Sequence, residues 1–475
     1  MHVRKTWAAK APTAIVFLAG FLALALATPR TAEAEWDQAF GDPANTGFVD
    51  VPTNLPVAAS WAFQLDGPVS FAGPAVSKKG MIWVGTTSGT LWSFQTGGNF
   101  HCSHTFDGAI VATPAVLPGD DVVVLVSRPE GELHQTSLAR VSANCGLVWR
   151  VELPSPHGFP SHTSAAVKVW GLNGASFLFV HTVSTAAWDE EVADGEGQSL
   201  NEVIVYDESG EIFARRRTGN QCLDVSGGGG FDDWGDLWDF LTGWWPSAGE
   251  TPPLYKSYGW PDSTPAILDA EIRGISTPAR PAVVVTEHNC AIVSLDVLQF
   301  LPDATTFEER LVKKWRRTVT SPGTLLSSPA VTREGQIAFG TSDHRLLVFD
   351  IASQEWLWHY NTKSPVMEPP VMTPGLWIAR SDYMTQFLTP LGDEVPTARP
   401  QPFPSGGGVG AMAASRTEVV VPSFQELGFW THDLLDLTHA LTNWRFPTSS
   451  PALTADGRVY VVAQTDEKAV LIGFD

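Results

Sequence analysis

Charged residues are scarce in this chain, and basic ones especially so. Only 17% of the 475 residues are charged, with 30 Lys and Arg against 51 Asp and Glu. Long solvent-facing helices need many charged side chains, so this composition excludes a helical bundle or a coiled coil. The net charge of −21 repels phosphate backbones and anionic lipid headgroups. We therefore expect neither nucleic-acid binding nor electrostatic docking on a membrane.

Long apolar runs are also lacking, apart from one near the start of the sequence. Three basic residues among the first ten precede an apolar stretch at 14–27, and residues 32–34 read Ala-Glu-Ala. This pattern predicts a signal peptide at 1–34, cleaved after Ala34. The alternative is an uncleaved anchor, but a bilayer span needs about 20 apolar residues. We expect a secreted or periplasmic protein with no integral membrane segment after cleavage, and cleavage takes the net charge to −24.

Glycine, proline and tryptophan are abundant, at 42, 35 and 19 residues, which favours short strands joined by tight turns. A core related to Ser/Thr-Pro-Ala-Val recurs eight times, mostly about 40 residues apart, a period typical of propeller blades. The copies are residues 73–76, 113–116, 164–167, 264–267, 328–331, 368–371, 411–414 and 450–453. Trp315 and Trp358 take equivalent positions late in their repeats, which predicts buried outer-strand anchors.

The clearest repeat, residues 327–362, divides into four short apolar or aromatic segments separated by turn residues. The last repeat ends one strand short at Phe474, whereas residues 60–63 (Ser-Trp-Ala-Phe) resemble an outer strand without a blade. An open edge would invite aggregation, so we expect this segment to complete the last blade. The sequence thus predicts an all-β fold at 58–475, an eight-bladed β-propeller with an N-terminal strand closing the last blade, after a lead-in segment at 35–57.

Two insertions interrupt the repeats: an acidic loop at 184–200 and a Gly- and Trp-rich segment at 221–262. In the second, aromatic residues recur at spacings of three and four, which predicts one face of a short amphipathic helix. Two interpretations stand: an exposed surface that binds a partner, or a cap that buries these rings on the propeller face. The candidate partner-binding residues are Phe231, Trp234, Trp238, Trp244 and Trp245.

The order of Ser-Pro-Ala-Val, Val/Ile-x-x-Gly, Leu-x-x-Phe/Leu-Asp and Trp within each repeat resembles the PQQ-type, or quinoprotein-like, eight-bladed β-propellers. Residues 36–47 (WDQAFGDPANTG) are similar to the segment that leads into the first blade of that family. The likeness covers residues 36–475. The family includes dehydrogenases and the non-enzymatic outer-membrane assembly lipoprotein type, and we expect this chain to be closer to the non-enzymatic members.

The chemistry of the dehydrogenases is not carried over. Those enzymes hold their quinone against a ring formed by two adjacent cysteines, and no two cysteines are adjacent here, so we expect neither PQQ nor Ca²⁺. His101 and His104 flank Cys102 but fall on opposite faces of a strand, which argues against a metal site. The acidic run at 189–196 lacks the ligand order of a calcium loop. With no nucleophile elbow or phosphate-binding loop either, we expect a protein that is not an enzyme.

Four cysteines in an exported chain predict two disulfides. Cys102 and Cys145 fall at or just after the third-to-fourth turns of blades one and two, and therefore on one propeller face. Cys222 and Cys290 fall on the opposite face, at blades three and four. Crossed pairs would span a strand of roughly 16 Å, beyond the roughly 4.4 to 6.8 Å between the Cα atoms of a disulfide. We predict the pairs Cys102–Cys145 and Cys222–Cys290; no cysteine lies at the cleavage site to carry a lipid.

Two classes of function remain open. The favoured hypothesis is an exported, monomeric, non-catalytic scaffold that binds a protein partner in the cell envelope through the insertion at 221–262 and nearby loops. The alternative is a PQQ-dependent dehydrogenase or another divergent enzyme with its site in the central funnel. A glycan-binding propeller that stacks sugars on the same aromatic rings is a further alternative.

Overall fold

The computed structural model describes most of the chain from residue 38 onward. The described residues are 38–50, 58–69, 73–130, 133–153, 164–170, 175–182, 202–218, 264–268, 281–287, 293–319, 327–362, 366–381, 384–395, 411–422, 426–431, 437–442, 450–464 and 469–474, without 40, 43, 333, 342, 367 and 455. Within these ranges, no helix is long and apolar enough to cross a membrane. The segments predicted as a signal peptide and as the two insertions lie outside them.

Eight antiparallel sheets form the blades of an eight-bladed β-propeller, as the sequence predicts. Blades one to seven each begin at the axis and add strands outward in chain order. The inner strands are β2 (Ala75–Val76), β6 (Ala115–Val116), β10 (Ala166–Trp170), β14 (Ala266–Leu268), β18 (Ala330–Val331), β22 (Val371–Met372), β25 (Ala413–Ala414) and β29 (Ala452–Leu453). The second strands are β3 (Met81–Gly85), β7 (Val122–Glu130), β11 (Ala175–Thr182), β15 (Ala282–Glu287), β19 (Gln336–Gly340), β23 (Trp377–Ser381), β26 (Glu418–Pro422) and β30 (Val459–Gln464).

The outer half of each blade contains the aromatic residues singled out in the repeats. The third strands are β4 (Thr90–Gln95), β8 (Leu133–Val141), β12 (Glu202–Tyr206), β16 (Val293–Phe300), β20 (Arg345–Asp350), β24 (Met384–Leu388), β27 (Glu426–Thr431) and β31 (Ala469–Phe474). The outer strands are β5 (Phe100–Thr105), β9 (Leu147–Glu152), β13 (Ile212–Arg217), β17 (Leu311–Val319), β21 (Glu355–Asn361), β28 (Leu437–Thr442) and β1 (Trp61–Gln64). Blade six contributes three strands to the described part of the chain.

The ring is closed by the first strand of the chain. In the sheet of blade eight the order is β1-β31-β30-β29, so β1 is the outer strand of the blade that ends the sequence. The two strands are antiparallel, with Trp61 opposite Gly473 and Phe63 opposite Leu471. The predicted closure is confirmed.

The hydrophobic core lies between neighbouring blades. Along β7, Val122, Val124 and Val126 pack toward blade one, whereas Val123 and Leu125 pack toward blade three. Because side chains alternate between the two faces of a strand, a strand buried on both faces must be apolar throughout. This explains the uninterrupted run VVVLV and the similar apolar runs in the second strands of the other blades.

The repeated Ser/Thr-Pro-Ala-Val core has a specific packing role. Its hydroxyl accepts a hydrogen bond from the backbone N–H of the preceding blade: Gly73 to Thr113 (2.9 Å), Ser164 to Thr264 (3.2 Å) and Thr264 to Ser328 (2.9 Å). The first residue of the core therefore links successive inner strands around the axis.

Blade six shows where the sequence alignment is wrong by one residue. There the repeat pattern predicts the core at 368–371, but the paired residues are Val371 with Ile378 and Met372 with Trp377. The equivalent pairs in blade five involve Ala330 and Val331. The core of blade six therefore occupies 369–372, because its two consecutive prolines allow either register in the sequence.

Candidate functional site

The sequence-predicted partner-binding residues lie outside the described part of the chain. This holds for the rings of the 221–262 insertion, namely Phe231, Trp234, Trp238, Trp244 and Trp245, and for Cys222 and Cys290. Their roles stay predictions. The described residues that can be assessed are the first cysteine pair, the outer-strand tryptophans and the lead-in segment.

Cys102 and Cys145 form a disulfide, as predicted, with their Cα atoms 5.9 Å apart. The bond joins β5 of blade one to the β8–β9 turn of blade two. Two histidines contact the same turn: His101 Nε2 lies 3.2 Å from the Ala143 carbonyl oxygen, and His104 Nδ1 lies 3.1 Å from that of Cys145. The two imidazoles were expected on opposite faces of the strand, yet both reach this turn. Within the described ranges, no three His, Cys, Asp or Glu side chains are grouped to hold a metal ion.

Three other blade contacts are made by tryptophan instead of a disulfide. In each, an outer-strand indole packs on a glycine with positive φ in the third-to-fourth turn of the next blade, and the indole Nε1 donates to the carbonyl two residues before that glycine. The pairs are Trp61 with Gly98 and Thr96 (3.1 Å), Trp149 with Gly210 and Glu208 (2.9 Å), and Trp358 with Gly392 and Pro390 (3.1 Å). A Cβ on any of these glycines would lie within 3 Å of the indole. We call each of these contacts a tryptophan dock.

Trp358 therefore anchors one blade on the next, and it packs against the core between blades five and six. The sequence prediction placed it in the outer strand correctly, but the side chain is half-buried instead of buried, and the prediction missed its contact with the neighbouring turn. Trp315 lies in β17 opposite Val297, and its side chain is outside the described part of the structure. Tryptophan in the outer strand followed by glycine in the next third-to-fourth turn is the signal that would have revealed the docks.

The disulfide occupies the same two positions as a tryptophan dock. Cys102 lies opposite Ser93 just beyond a β-bulge, as Trp149 lies opposite Arg140. Cys145 has φ +62° and donates its backbone N–H to the third residue before it, as Gly210 does. His101 contacts the carbonyl of Ala143, two residues before Cys145, which is the acceptor position of the indole in a dock. A disulfide and an imidazole together replace one indole between blades one and two.

The lead-in segment lies along the inner edge of the ring. Each inner strand has one edge without a partner in its own sheet, and this edge faces the axis. In four blades, the last residue of the Ser/Thr-Pro-Ala-Val core donates its N–H from that edge to the lead-in. The bonds run from Val167 to Gln38 Oε1 (2.8 Å), Val331 to Ala44 O (2.9 Å), Met372 to Thr46 O (3.0 Å) and Ala414 to Gly47 O (2.8 Å).

Two polar side chains hold the lead-in in this path. The Asp42 carboxylate accepts hydrogen bonds from the backbone N–H of Ala44 (2.9 Å) and Thr46 (3.0 Å). Asn45 is buried with φ +57°, and its Nδ2 donates to the carbonyl oxygens of Thr264 (3.1 Å) and Pro329 (3.0 Å). The lead-in therefore connects blades three to seven, a role that its sequence did not reveal.

Comparisons with known proteins agree with this architecture. Quinohemoprotein alcohol dehydrogenase from Comamonas testosteroni superimposes with a TM-score of 0.59 at 12% identity, over 94% of this chain and 81% of the enzyme. The ADHIIG enzyme of Pseudomonas putida HK5 gives 0.58 at 12% identity, over 93% and 80%. BamB from Moraxella catarrhalis gives 0.53 at 12% identity, over 88% of this chain and all of BamB. The chain has the quinoprotein-like eight-bladed propeller fold. No protein-family model and no curated protein sequence matches it.

In this quinoprotein-like propeller, aromatic rings and one carboxylate pack where blade eight meets blade one. The Phe63 ring lies 4.7 Å from that of Phe94 and 5.6 Å from that of Trp92. Asp66, just after β1, accepts hydrogen bonds from Thr86 (3.0 Å), Thr90 (2.5 Å) and Trp92 Nε1 (3.1 Å). Partial burial raises the pKa of Asp66, but these hydrogen bonds outweigh it and hold the pKa below its usual value of 3.8.

Other shifted groups are spread around the propeller. A hydrogen bond from Arg150 lowers the pKa of Asp107, and burial lowers that of His134. Burial and a hydrogen bond to Glu394 raise the pKa of Tyr360 to about 12.

Proposed function

We propose that this protein is an exported, non-catalytic β-propeller scaffold that binds a protein partner in the cell envelope. The observation that carries the proposal is the occupied inner edge of the ring. N–H groups that face the axis in four blades are bound by the lead-in of the same chain, and Asn45 binds carbonyls of two adjacent blades there. Polar groups at the axis therefore hold the blades together, which favours binding away from the axis.

The position of the disulfide supports the same proposal. The dehydrogenases that this fold resembles use a ring of two adjacent cysteines against the quinone, whereas Cys102 and Cys145 are 43 positions apart and join outer parts of two blades. This pair acts as a structural link. A disulfide also fits an oxidising compartment, in agreement with the export predicted from residues 1–34.

Partner capture from the native envelope tests the proposal. The mature chain, residues 35–475, is compared with a variant that lacks 221–262 and with a matched control that lacks 184–200. We expect a protein that the mature chain and the control retain at equal yield and that the 221–262 variant loses. Reconstitution from the purified proteins then gives the stoichiometry.

A second experiment tests the alternative function, a PQQ-dependent dehydrogenase, by adding the cofactor. Purified mature chain is titrated with PQQ and Ca²⁺, and visible absorbance and dye reduction with an alcohol are recorded. We expect no saturable band and no reduction. Stoichiometric PQQ binding with dye reduction would overturn the proposal in favour of a dehydrogenase, and unfolding on removal of 221–262 would show that its tryptophans cap the propeller.

A further inference from the structure

The outer strands of blades three and four carry an unusual concentration of positive charge. In an acidic chain, these two strands hold seven basic residues and no acidic ones. The side chains of six of these residues are described, and we call them the basic strip: Arg215 and Arg216 of β13 with Lys313, Lys314, Arg316 and Arg317 of β17. The other described outer strands, β1, β5, β9, β21 and β28, together hold one Lys or Arg, which is Arg150.

The two strands contact each other, so their basic residues lie on neighbouring blade rims. Arg317 reaches toward blade five, where its Nη2 donates to the Gln354 carbonyl at 2.8 Å. Arg310, just before β17, places its guanidinium 4.1 Å from the centre of the Phe213 ring. Its Nη1 also donates to the Phe213 carbonyl at 3.1 Å. This cation–π contact and hydrogen bond hold the rim of blade four against that of blade three.

Only part of the positive charge is offset within the described structure. The fully buried carboxylate of Asp296 pairs with Arg316 at 2.6 Å and Lys313 at 3.0 Å. Arg215 pairs with the buried Glu202 at 3.1 Å. The exposed Arg216 and Lys314 have no ion pair with any residue that the structure describes, so their charges face solvent.

Protection of a sheet edge does not account for this pattern. Lysine and arginine on edge strands do prevent unwanted strand pairing. Every complete blade, however, ends in an outer strand that pairs with no further strand among the described residues, and the basic residues of these outer strands are concentrated in two adjacent blades. Such an uneven distribution points to a ligand.

We propose that the basic strip docks an extended, carboxylate-rich segment of a partner protein. A nine-residue strand such as β17 is about 30 Å long, which suits an extended peptide lying along it. The mature chain has a net charge of −24, and charges interact over a Debye length of about 8 Å at physiological salt. A membrane or a nucleic-acid duplex would extend past the strip and be repelled by this net negative charge, whereas a single peptide can stay within the strip. This inference rests on the proposed scaffold function and names the chemistry of the partner.

Fluorescence anisotropy with a defined probe tests the proposal. The probe is a fluorescein-labelled 16-residue peptide of alternating Glu and Ser, titrated with the mature chain at several salt concentrations. The test variant is Arg216→Ser with Lys314→Ser. The control, Lys78→Ser with Lys79→Ser, removes the same charge from exposed positions in blade one and also removes the ion pair of Lys79 with Asp120. We expect affinity to fall about fivefold or more in the test variant, less than twofold in the control, and steadily with salt.

Equal weakening in both variants, or no saturable binding of the peptide, would overturn the proposal. Vesicles containing 30% phosphatidylglycerol and a 16-base-pair DNA duplex are titrated in parallel. If the vesicles or the DNA bind more tightly than the peptide, and the test variant loses this binding, the strip binds that ligand and the proposal of a peptide partner is wrong. If the capture experiment yields a partner but the peptide does not bind, this inference fails and the scaffold function stands.

Discussion

The contact between blades one and two and the contact between blades two and three meet the same requirement with different chemistry. In both, the outer strand of one blade holds the third-to-fourth turn of the next. Between blades two and three, Trp149 fills the space above Gly210, where no Cβ would fit. Between blades one and two, the turn carries a Cβ because Cys145 must reach Cys102, and Cys145 adopts a positive φ that L residues rarely take. Each contact therefore depends on both of its residues, either Trp149 with Gly210 or Cys102 with Cys145. One residue taken from either contact would not fit the other contact.

We expect the largest loss of stability at the ring closure, because β1 both carries a tryptophan dock and pairs with β31. Deletion of residues 58–64 removes β1, the Trp61 dock on Gly98 and the Phe63 ring cluster. We expect a loss greater than that of any single buried side chain, which is about 3 to 5 kcal/mol, together with aggregation at the opened edge. Size-exclusion chromatography and thermal unfolding measure it. A soluble monomer with an unchanged Tm would contradict the closure.

Removal of the Cys102–Cys145 disulfide should cause the next largest loss of stability. A bond that closes 43 residues stabilises the folded state by about 4 kcal/mol through the entropy of the unfolded chain. We expect Cys102→Ala with Cys145→Ala to lose most of this amount in urea unfolding under non-reducing conditions. Equal midpoints for the variant and the wild type would show that the contact depends on His101 and His104 alone.

The tryptophan docks should matter less than the disulfide because their rings are only partly buried. We expect Trp358→Ala to cost about 2 to 3 kcal/mol. Trp356→Ala is the control on the same strand; this side chain is 42% exposed and should cost less than about 1 kcal/mol. If the two variants unfold at the same urea concentration, the dock on Gly392 does not stabilise the blade contact.

Replacing the disulfide by a tryptophan and a glycine tests whether the two kinds of blade contact are interchangeable. The variant Cys102→Trp with Cys145→Gly rebuilds a dock between blades one and two. We expect it to be about 1 to 2 kcal/mol more stable than Cys102→Ala with Cys145→Gly, since the indole regains aromatic burial on the glycine. A variant no more stable than this reference would mean that the two blade contacts differ in geometry as well as in chemistry.

The smallest expected effect on stability comes from the ionisation of Asp66. The hydrogen bonds of the folded state lower the pKa of Asp66, so the carboxylate stabilises the fold above the unfolded pKa, near 4. That stabilisation is lost as pH falls below 4 through the lowered folded pKa. We expect Asp66→Asn to be less stable than wild type at pH 6, with the difference shrinking toward pH 3. A difference that stays constant over this range would exclude ionisation as its cause.

The fold could be predicted because its determinants are local and repeated. The recurring Ser/Thr-Pro-Ala-Val core indicates the number of blades, and the strand missing after Phe474 indicates the closure. The Cys102–Cys145 pair followed from strand order alone. The tryptophan docks were missed because Trp149 depends on a glycine 61 residues later in the chain. The path of the lead-in was missed because its partners are backbone groups, which leave no pattern in the sequence.

The occupied inner edge also orders the events of folding. Asn45 emerges early in synthesis, yet its partner Pro329 lies 284 residues later, and β1 cannot pair until β31 (Ala469–Phe474) has been made. Contacts between residues so far apart in the sequence form slowly, because the entropy of closing the loop is lost before the contact contributes any stabilisation. Some native partners of this N-terminal segment, Pro329 for Asn45 and β31 for β1, are therefore absent until most of the chain is present. Premature termination should leave this segment exposed, so quality control has a long interval in which to recognise an incomplete ring.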